Sequence, residues 1–186
     1  HIVNEELLAE AQRVGADDPA LVKRVHGAMV EAAATGASIV VCTCSTIGGL
    51  AERTPTSDRF TALRIDRAMA DRAVKLGPQI LVVAALESTL APTTKLIEES
   101  ATALGAKVQI EHLFVAGAWS YFLANDLAAY VEAIAAAVYA GSRTANVIVL
   151  AQASMAPAAE PLGRLGIEIL SSPSLGVRSV VERLQS

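Results

Sequence analysis

Ala37-Ser38-Ile39-Val40-Val41-Cys42-Thr43-Cys44-Ser45-Thr46 reads as a strand that runs into a turn of small polar residues. The pattern returns far along the chain as Ala145-Asn146-Val147-Ile148-Val149-Leu150-Ala151-Gln152-Ala153-Ser154, with Gln152 standing where Cys44 stood. In both segments the apolar run is too continuous for a strand with one wet face. The turn that follows is suited to opening a helix. Two such segments are what two half-sites facing each other across a cleft would look like. One half has a thiol and the other an amide, and this asymmetry limits the chemistry available.

The flanking sequence extends the reading. Asn4 can cap a helix over residues 5–13, and Asp18 followed by Pro19 is a strong helix start. Leu21, Val25, Met29 and Ala33 keep a helical period until Gly36. Residues 53–62, with Pro55, read as a polar loop. Asp66 is placed to cap a helix over 67–76, and Gly77-Pro78 stops it. A buried strand over 80–85 follows, then a helix opened by Pro92 and closed by Gly105, and a strand over 108–115. Asp126 begins a long Ala-rich helix to Gly141, after which come a strand over 147–150, a helix over 157–165, a strand over 167–170 and a helix over 175–184. Strands alternating with helices give an α/β fold with mostly parallel sheets. Ligands in such sheets bind beyond the carboxyl ends of the strands, where both small-residue turns fall.

Composition agrees with this class. The 186 residues are 53% hydrophobic but only 4% aromatic, and alanine dominates, so helices can pack closely on a sheet. The net charge of −4 and the absence of any Lys/Arg run argue against a nucleic-acid partner. The longest apolar run, Leu127 to Ala140, is interrupted by Glu132 and falls short of the roughly 20 residues of a membrane span. Cys42 and Cys44, two positions apart, make a poor disulfide pair and read as reduced thiols of a cytoplasmic enzyme.

Cys44 at a helix entrance would face unpaired N–H groups and the positive end of the dipole, both of which favour a thiolate. Ser45 and Thr46 add hydroxyls and N–H groups, a cradle for a carboxylate. Gly48-Gly49 lets a ligand approach the backbone. Cys42, inside the strand, reads as core filler. A metal site needs more ligands than one Cys-x-Cys, and His26 and His112 fall on other elements, so no metal is expected. A phosphatase-type loop would need an arginine six residues after the thiol, where Leu50 stands. A dinucleotide fingerprint lacks its third glycine. His26 reads as a surface residue, Asp66 as a helix cap, and Trp119 and Tyr121 as packing residues in a loop region.

These residues carry a resemblance. Val40-Val41-Cys42-Thr43-Cys44-Ser45-Thr46-Ile47-Gly48, Leu63-Arg64-Ile65-Asp66, Leu86-Glu87-Ser88-Thr89-Leu90 and Leu150-Ala151-Gln152-Ala153-Ser154-Met155, followed by Ser171-Ser172-Pro173, resemble the aspartate/glutamate/hydantoin racemase superfamily. That superfamily also contains arylmalonate decarboxylase and maleate isomerase. The resemblance implies two Rossmann-like lobes related by a pseudo-twofold axis, with the active site between them. Residues 1–78, rejoined by 172–186, would form the first lobe and residues 79–171 the second. The family's opening βα unit is not found before His1-Ile2-Val3, so an upstream segment is expected.

The resemblance also implies cofactor-independent chemistry at the carbon α to a carboxylate, with a small carboxylate as substrate. Cys44 falls on the first catalytic cysteine, and Ser45, Thr46, Thr89, Gln152, Ala153 and Ser154 fall on substrate-binding positions. Racemases of this family place a second cysteine where this chain has Gln152. An amide has no useful proton to trade, so two-thiol racemisation is not available from these positions. General acid–base help is worth roughly a hundred- to ten-thousand-fold per group. A racemase or isomerase is the family label. The alternatives are a single-thiol decarboxylase, whose lone thiol in the relative sits in the opposite lobe, and a carboxylate-binding protein that has lost its chemistry. A homo-oligomer is compatible with either.

Overall fold

The structure is a computed structural model that describes residues 1–141 and 144–185. Helix α1 (Glu5–Val14) starts where the Asn4 side chain accepts the Leu7 N–H. Helix α2 (Pro19–Ala33) starts where the Asp18 carboxylate accepts the N–H groups of Ala20 and Leu21. Strand β1 (Ile39–Cys42) leads into α3 (Ser45–Glu52), and β2 (Thr61–Arg64) returns parallel to β1 with Cys42 opposite Arg64. Leu21, Val25 and Met29 of α2 pack with Ile47, Leu50 and Ala51 of α3 and with Leu7, Ala11 and Phe60, forming one core.

Helix α4 (Arg67–Leu76) and β3 (Gln79–Ala84) begin a second set of elements. A short 3-10 helix, Glu87–Thr89, feeds α5 (Leu90–Ala103), and β4 (Gln109–Phe114), α6 (Ala118–Leu123) and α7 (Leu127–Gly141) follow. Then come β5 (Val147–Leu150), a 3-10 helix Ala153–Ala158, α8 (Ala159–Leu162), β6 (Glu168–Ser171) and α9 (Ser172–Gln185). Four strands form one parallel sheet in the order β4-β3-β5-β6.

Both faces of this sheet are covered, which is why its central strands are apolar at every position after Gln79. Ile80, Val82 and Ala84 join Val147, Val149 and Ala151 against α4 and α5. Leu81, Val83 and Ala85 join Ile148 and Leu150 against α7, α8 and Met155. The chain leaves β3 toward one face and β5 toward the other. Neighbouring strands whose connections diverge in this way open a crevice at their carboxyl ends, the usual ligand position in an open α/β sheet. Although α4 precedes β3 in sequence, it buries Met69, Ala70, Ala73 and Val74 on this sheet.

Several expectations need correction. Thr61 and Ala62, expected to end the loop over 53–62, open strand β2, which runs on to Arg64 and was not expected. Asp66 precedes α4 but makes no side-chain cap; its carboxylate is taken by Arg64. His26 is half-buried, with Nε2 3.1 Å from the Leu50 carbonyl, so it ties α2 to the last turn of α3. Trp119 and Tyr121 lie on helix α6, where Trp119 stacks on Phe122 at 4.6 Å and Tyr121 stays exposed. Pro92 sits inside the first turn of α5, and Pro157 lies within a 3-10 helix rather than opening one. Helix α9 begins at Ser172, ahead of the expected 175.

Candidate functional site

Three strand ends meet near the amino end of α3. Cys44 is the residue before that helix, with extended backbone angles (φ −94°, ψ 117°), and its thiol makes no capping bond. Its side chain is half-buried at the margin of the α2–α3 core. Ser45 is 7% exposed and donates its hydroxyl to the Ala151 carbonyl at 2.9 Å. This bond fastens the cysteine turn to the end of β5. Gln152, next to Ala151, accepts the Ala85 N–H at 2.8 Å through Oε1. The ends of β3 and β5 are thereby bridged where the crevice opens. The Gln152 amide nitrogen that remains is buried and has no partner.

The other predicted residues divide by what their hydroxyls do. Thr89, 3% exposed, spends its hydrogen on the Leu86 carbonyl at 2.7 Å. The Ser154 hydroxyl is paired with the Tyr130 hydroxyl at 3.0 Å, and burial pushes the Tyr130 phenol up from its ordinary value. Ala153 is exposed. Thr46, 4% exposed, has a buried hydroxyl with no partner, and so does Ser88, a residue the sequence reading passed over. Donors that are already engaged must break a bond to serve a ligand; Thr46, Ser88 and the Gln152 amide need not.

Beneath α3 lies Arg64, also missed as a site residue. Its Nε donates to Asp66 Oδ1 at 2.6 Å, and its Nη2 donates to Asp66 Oδ2 at 3.0 Å and to the Ser45 carbonyl at 3.3 Å. Both side chains are almost completely buried. A side chain at Gly48 would put its Cβ 3.0 Å from Arg64 Nε, so the glycine lets the guanidinium lie flat against the helix. Thr46 and Arg64 line a hollow of about 320 Å³ that Gly49 and Leu50 of α3, Arg53 just after it, Ser88, and Lys95 of α5 also border. Cys44 is not part of its lining.

The neighbouring thiol is that of Cys42. Cys42 donates to the Cys44 carbonyl at 3.7 Å, and burial, its largest influence, pushes its thiol up to about 12. Cys42 is therefore protonated at neutral pH and fits the core role expected for it. Among the described residues, no three His, Cys, Asp or Glu side chains converge in a way that could hold a metal ion.

Solved structures with the same arrangement of elements include glutamate racemase from Bacillus anthracis, with a TM-score of 0.63 and 16% identity over 88% of this chain and 65% of that one. Allantoin racemase from Klebsiella pneumoniae gives a TM-score of 0.63 and 17% identity, over 89% of this chain and 65% of that one. Unliganded arylmalonate decarboxylase gives 0.56 and 16%, over 94% of this chain and 85% of that one. All three are members of the aspartate/glutamate/hydantoin racemase superfamily. This chain has the racemase-superfamily fold.

It spans 65% of the length of either racemase. No protein-family model matches the sequence, and no curated protein matches it. In the racemase fold as this chain builds it, the cysteine turn belongs to the smaller sheet and the glutamine turn to the larger one, joined by the Ser45–Ala151 bond. Among the described residues no helix is long and apolar enough to cross a membrane.

Proposed function

We propose that this chain is a cofactor-independent enzyme that acts at the carbon next to a carboxylate, with Cys44 as its acid/base. The observation that carries the reading is the Ser45–Ala151 hydrogen bond, which holds the thiol turn beside the glutamine turn at the carboxyl ends of parallel strands. The racemase and decarboxylase neighbours support an enzyme of this broad kind.

In this reading, the first turn of α3 holds the carboxylate with the N–H groups of Ser45 and Thr46 and the free Thr46 hydroxyl, and the Gln152 amide nitrogen donates a further hydrogen bond. Donors fixed in place before charge builds up stabilise an enediolate without reorganising. The Cys44 sulfur moves the proton at the α-carbon. Racemisation needs a second group that exchanges protons on the opposite face. Gln152 supplies only a hydrogen-bond donor there. The amide therefore favours a reaction protonated from one side, such as loss of carbon dioxide followed by proton delivery from Cys44, over two-base racemisation. A small carboxylate is the substrate, and the cytoplasm is the compartment that suits a free thiol.

The test is hydrogen exchange at the α-carbon in heavy water, followed by NMR, over a panel of amino acids, hydantoins and arylmalonates, together with carbon dioxide release. Turnover in the parent and a loss of at least about a hundredfold in Cys44→Ala are expected. Undiminished turnover in Cys44→Ala would end the proposal. Inversion of a single enantiomer at a rate matching exchange would favour racemisation over the one-sided reaction.

A further inference from the structure

Arg64 is the last residue of β2, and its guanidinium is buried there against Asp66. Stability alone does not account for the pair, since apolar groups of the same size often hold a fold as well as a buried ion pair does. Its seat also weakens the helix above it. Gly48 and Gly49 stand together inside α3, a helix of 8 residues, where glycine disfavours helix formation. A Cβ at Gly48 would lie 3.0 Å from Arg64 Nε, and one at Gly49 would lie 3.3 Å from Nη1. Both glycines therefore keep room for the guanidinium.

What the arrangement holds is the cysteine turn. Nε and Nη2 donate to the two oxygens of Asp66, and Nη2 also reaches the Ser45 carbonyl at 3.3 Å. The Ser45 hydroxyl is bound to the Ala151 carbonyl at 2.9 Å. Ser45 is thus gripped through its side chain at the end of β5 and through its backbone by the last residue of β2. Cys44 is the residue before it, and its side chain makes no capping bond. The direction of the Cys44 Cα–Cβ bond therefore follows from how the neighbouring backbone is held. A contact of 3.7 Å from the Cys42 thiol to the Cys44 carbonyl is a weaker tie, because a thiol is a poor donor.

We propose that Arg64 is a positioning residue for Cys44, acting through the Ser45 carbonyl, with Asp66 fixing the guanidinium and Gly48-Gly49 giving it room. A planar fork suits this task, because it holds Asp66 and the carbonyl at once; a lysine ammonium is a single point charge on a flexible stem. Without the tether, the turn can pivot about the Ser45–Ala151 bond, and the half-buried thiol gains access to solvent. The consequence for catalysis rests on the reading of Cys44 as the acid/base; the mechanical role does not.

The experiment is alkylation of the whole chain by iodoacetamide at about pH 8, read separately at Cys44 and Cys42 by mass spectrometry. Cys42, whose thiol burial keeps protonated, reports unfolding. Arg64→Met combined with Asp66→Leu removes the tether and leaves no unpaired buried charge. In that variant Cys44 should react about tenfold faster, the change expected on losing one hydrogen bond from a charged donor, while Cys42 keeps its parental rate. Gly48→Ala crowds Nε and should speed Cys44 by about threefold. Ile134→Ala opens a cavity in the core on the α7 face of the larger sheet, leaves the tether alone and should not change the ratio of the two rates. A Cys44 rate equal to the parent's in the double variant, or Cys42 accelerating in step with Cys44, would overturn the inference. An unchanged Cys44 rate in Gly48→Ala would do the same even if the double variant did not fold. Turnover has no part in this readout, so failure of the tether is distinct from failure of the acid/base reading, which shows as full turnover in Cys44→Ala.

Discussion

Replacing Arg64 by methionine should destabilise the fold far more than a surface change, and removing its partner as well should restore most of the loss. The Arg64 and Asp66 side chains are 3% and 1% exposed, with Nε 2.6 Å from Oδ1. The guanidinium also satisfies the Ser45 carbonyl at 3.3 Å. Methionine would leave the Asp66 carboxylate buried without its bidentate partner. Breaking one side of such a pair costs about 3–5 kcal/mol. Domains have only about 5–15 kcal/mol to lose. At about 2–4 °C per kcal/mol for a chain of this size, Tm should fall by about 6–20 °C. Arg64→Met combined with Asp66→Leu removes both charges, and buried pairs replaced together by apolar groups are often neutral. Urea denaturation of the two single variants, the double variant and the parent, followed by circular dichroism, gives the coupling directly. A single variant within about 1 kcal/mol of the parent, or a double variant as unstable as the sum of the singles, would refute the reasoning.

Gly176→Ala should destabilise by about 1–3 kcal/mol or more, because the new Cβ would lie 2.1 Å from the Ile65 carbonyl oxygen and α9 would have to move; an unchanged urea midpoint would contradict this packing. Gln152→Ala should cost about 1–3 kcal/mol by leaving the buried Ala85 N–H without an acceptor, measured in the same way. Burial pushes the Cys42 thiol from 9.0 up to about 12, so the folded state holds this proton more tightly than the unfolded chain. The stability it contributes is complete below pH 9.0 and is lost as pH rises toward about 12; a Cys42→Ala variant should lack that part of the alkaline decline.

The larger sheet was legible for a physical reason. Strands β3 and β5 are covered on both faces, so their sequences carry no alternation to obscure them. Strand β2 was not legible, because its last residue is an arginine. Arg64 can be buried only because Asp66, two positions on, neutralises it, and no periodicity reports such a pair. The same pair explains the misreading of Asp66: an aspartate before a helix is ordinarily its cap, but a buried guanidinium is the stronger partner. Within the site, the sequence located both turns but could not say which hydroxyls were free. Thr89 and Ser154 carry the right chemistry, yet their bonds run to Leu86 and Tyr130, whereas Thr46 and the unremarked Ser88 are left open. Hydroxyl availability is decided by neighbours distant in sequence.

Gln152 looks at first like the loss of a catalytic group, but its bonding assigns it a different task. Its carbonyl oxygen is committed to the Ala85 N–H, which fixes the orientation of the amide and joins the ends of β3 and β5. A cysteine at this position has no carbonyl oxygen to offer that N–H. With its oxygen tied, the amide can present only its NH₂ group, which is buried and unpartnered. In the proposed reading the crevice is therefore asymmetric: on one side the Cys44 sulfur as acid/base, on the other a donor that can steady negative charge but not exchange it. Gln152→Cys would exchange that donor for a second thiol and orphan the Ala85 N–H at the same step. If the amide's work is electrostatic, the variant should lose one-sided turnover by tenfold or more, since deleting one aligned donor to a developing oxyanion costs about 10²–10³ in favourable cases. Turnover equal to the parent's, measured with a substrate found by the exchange panel, would mean that residue 152 serves only the backbone it clamps.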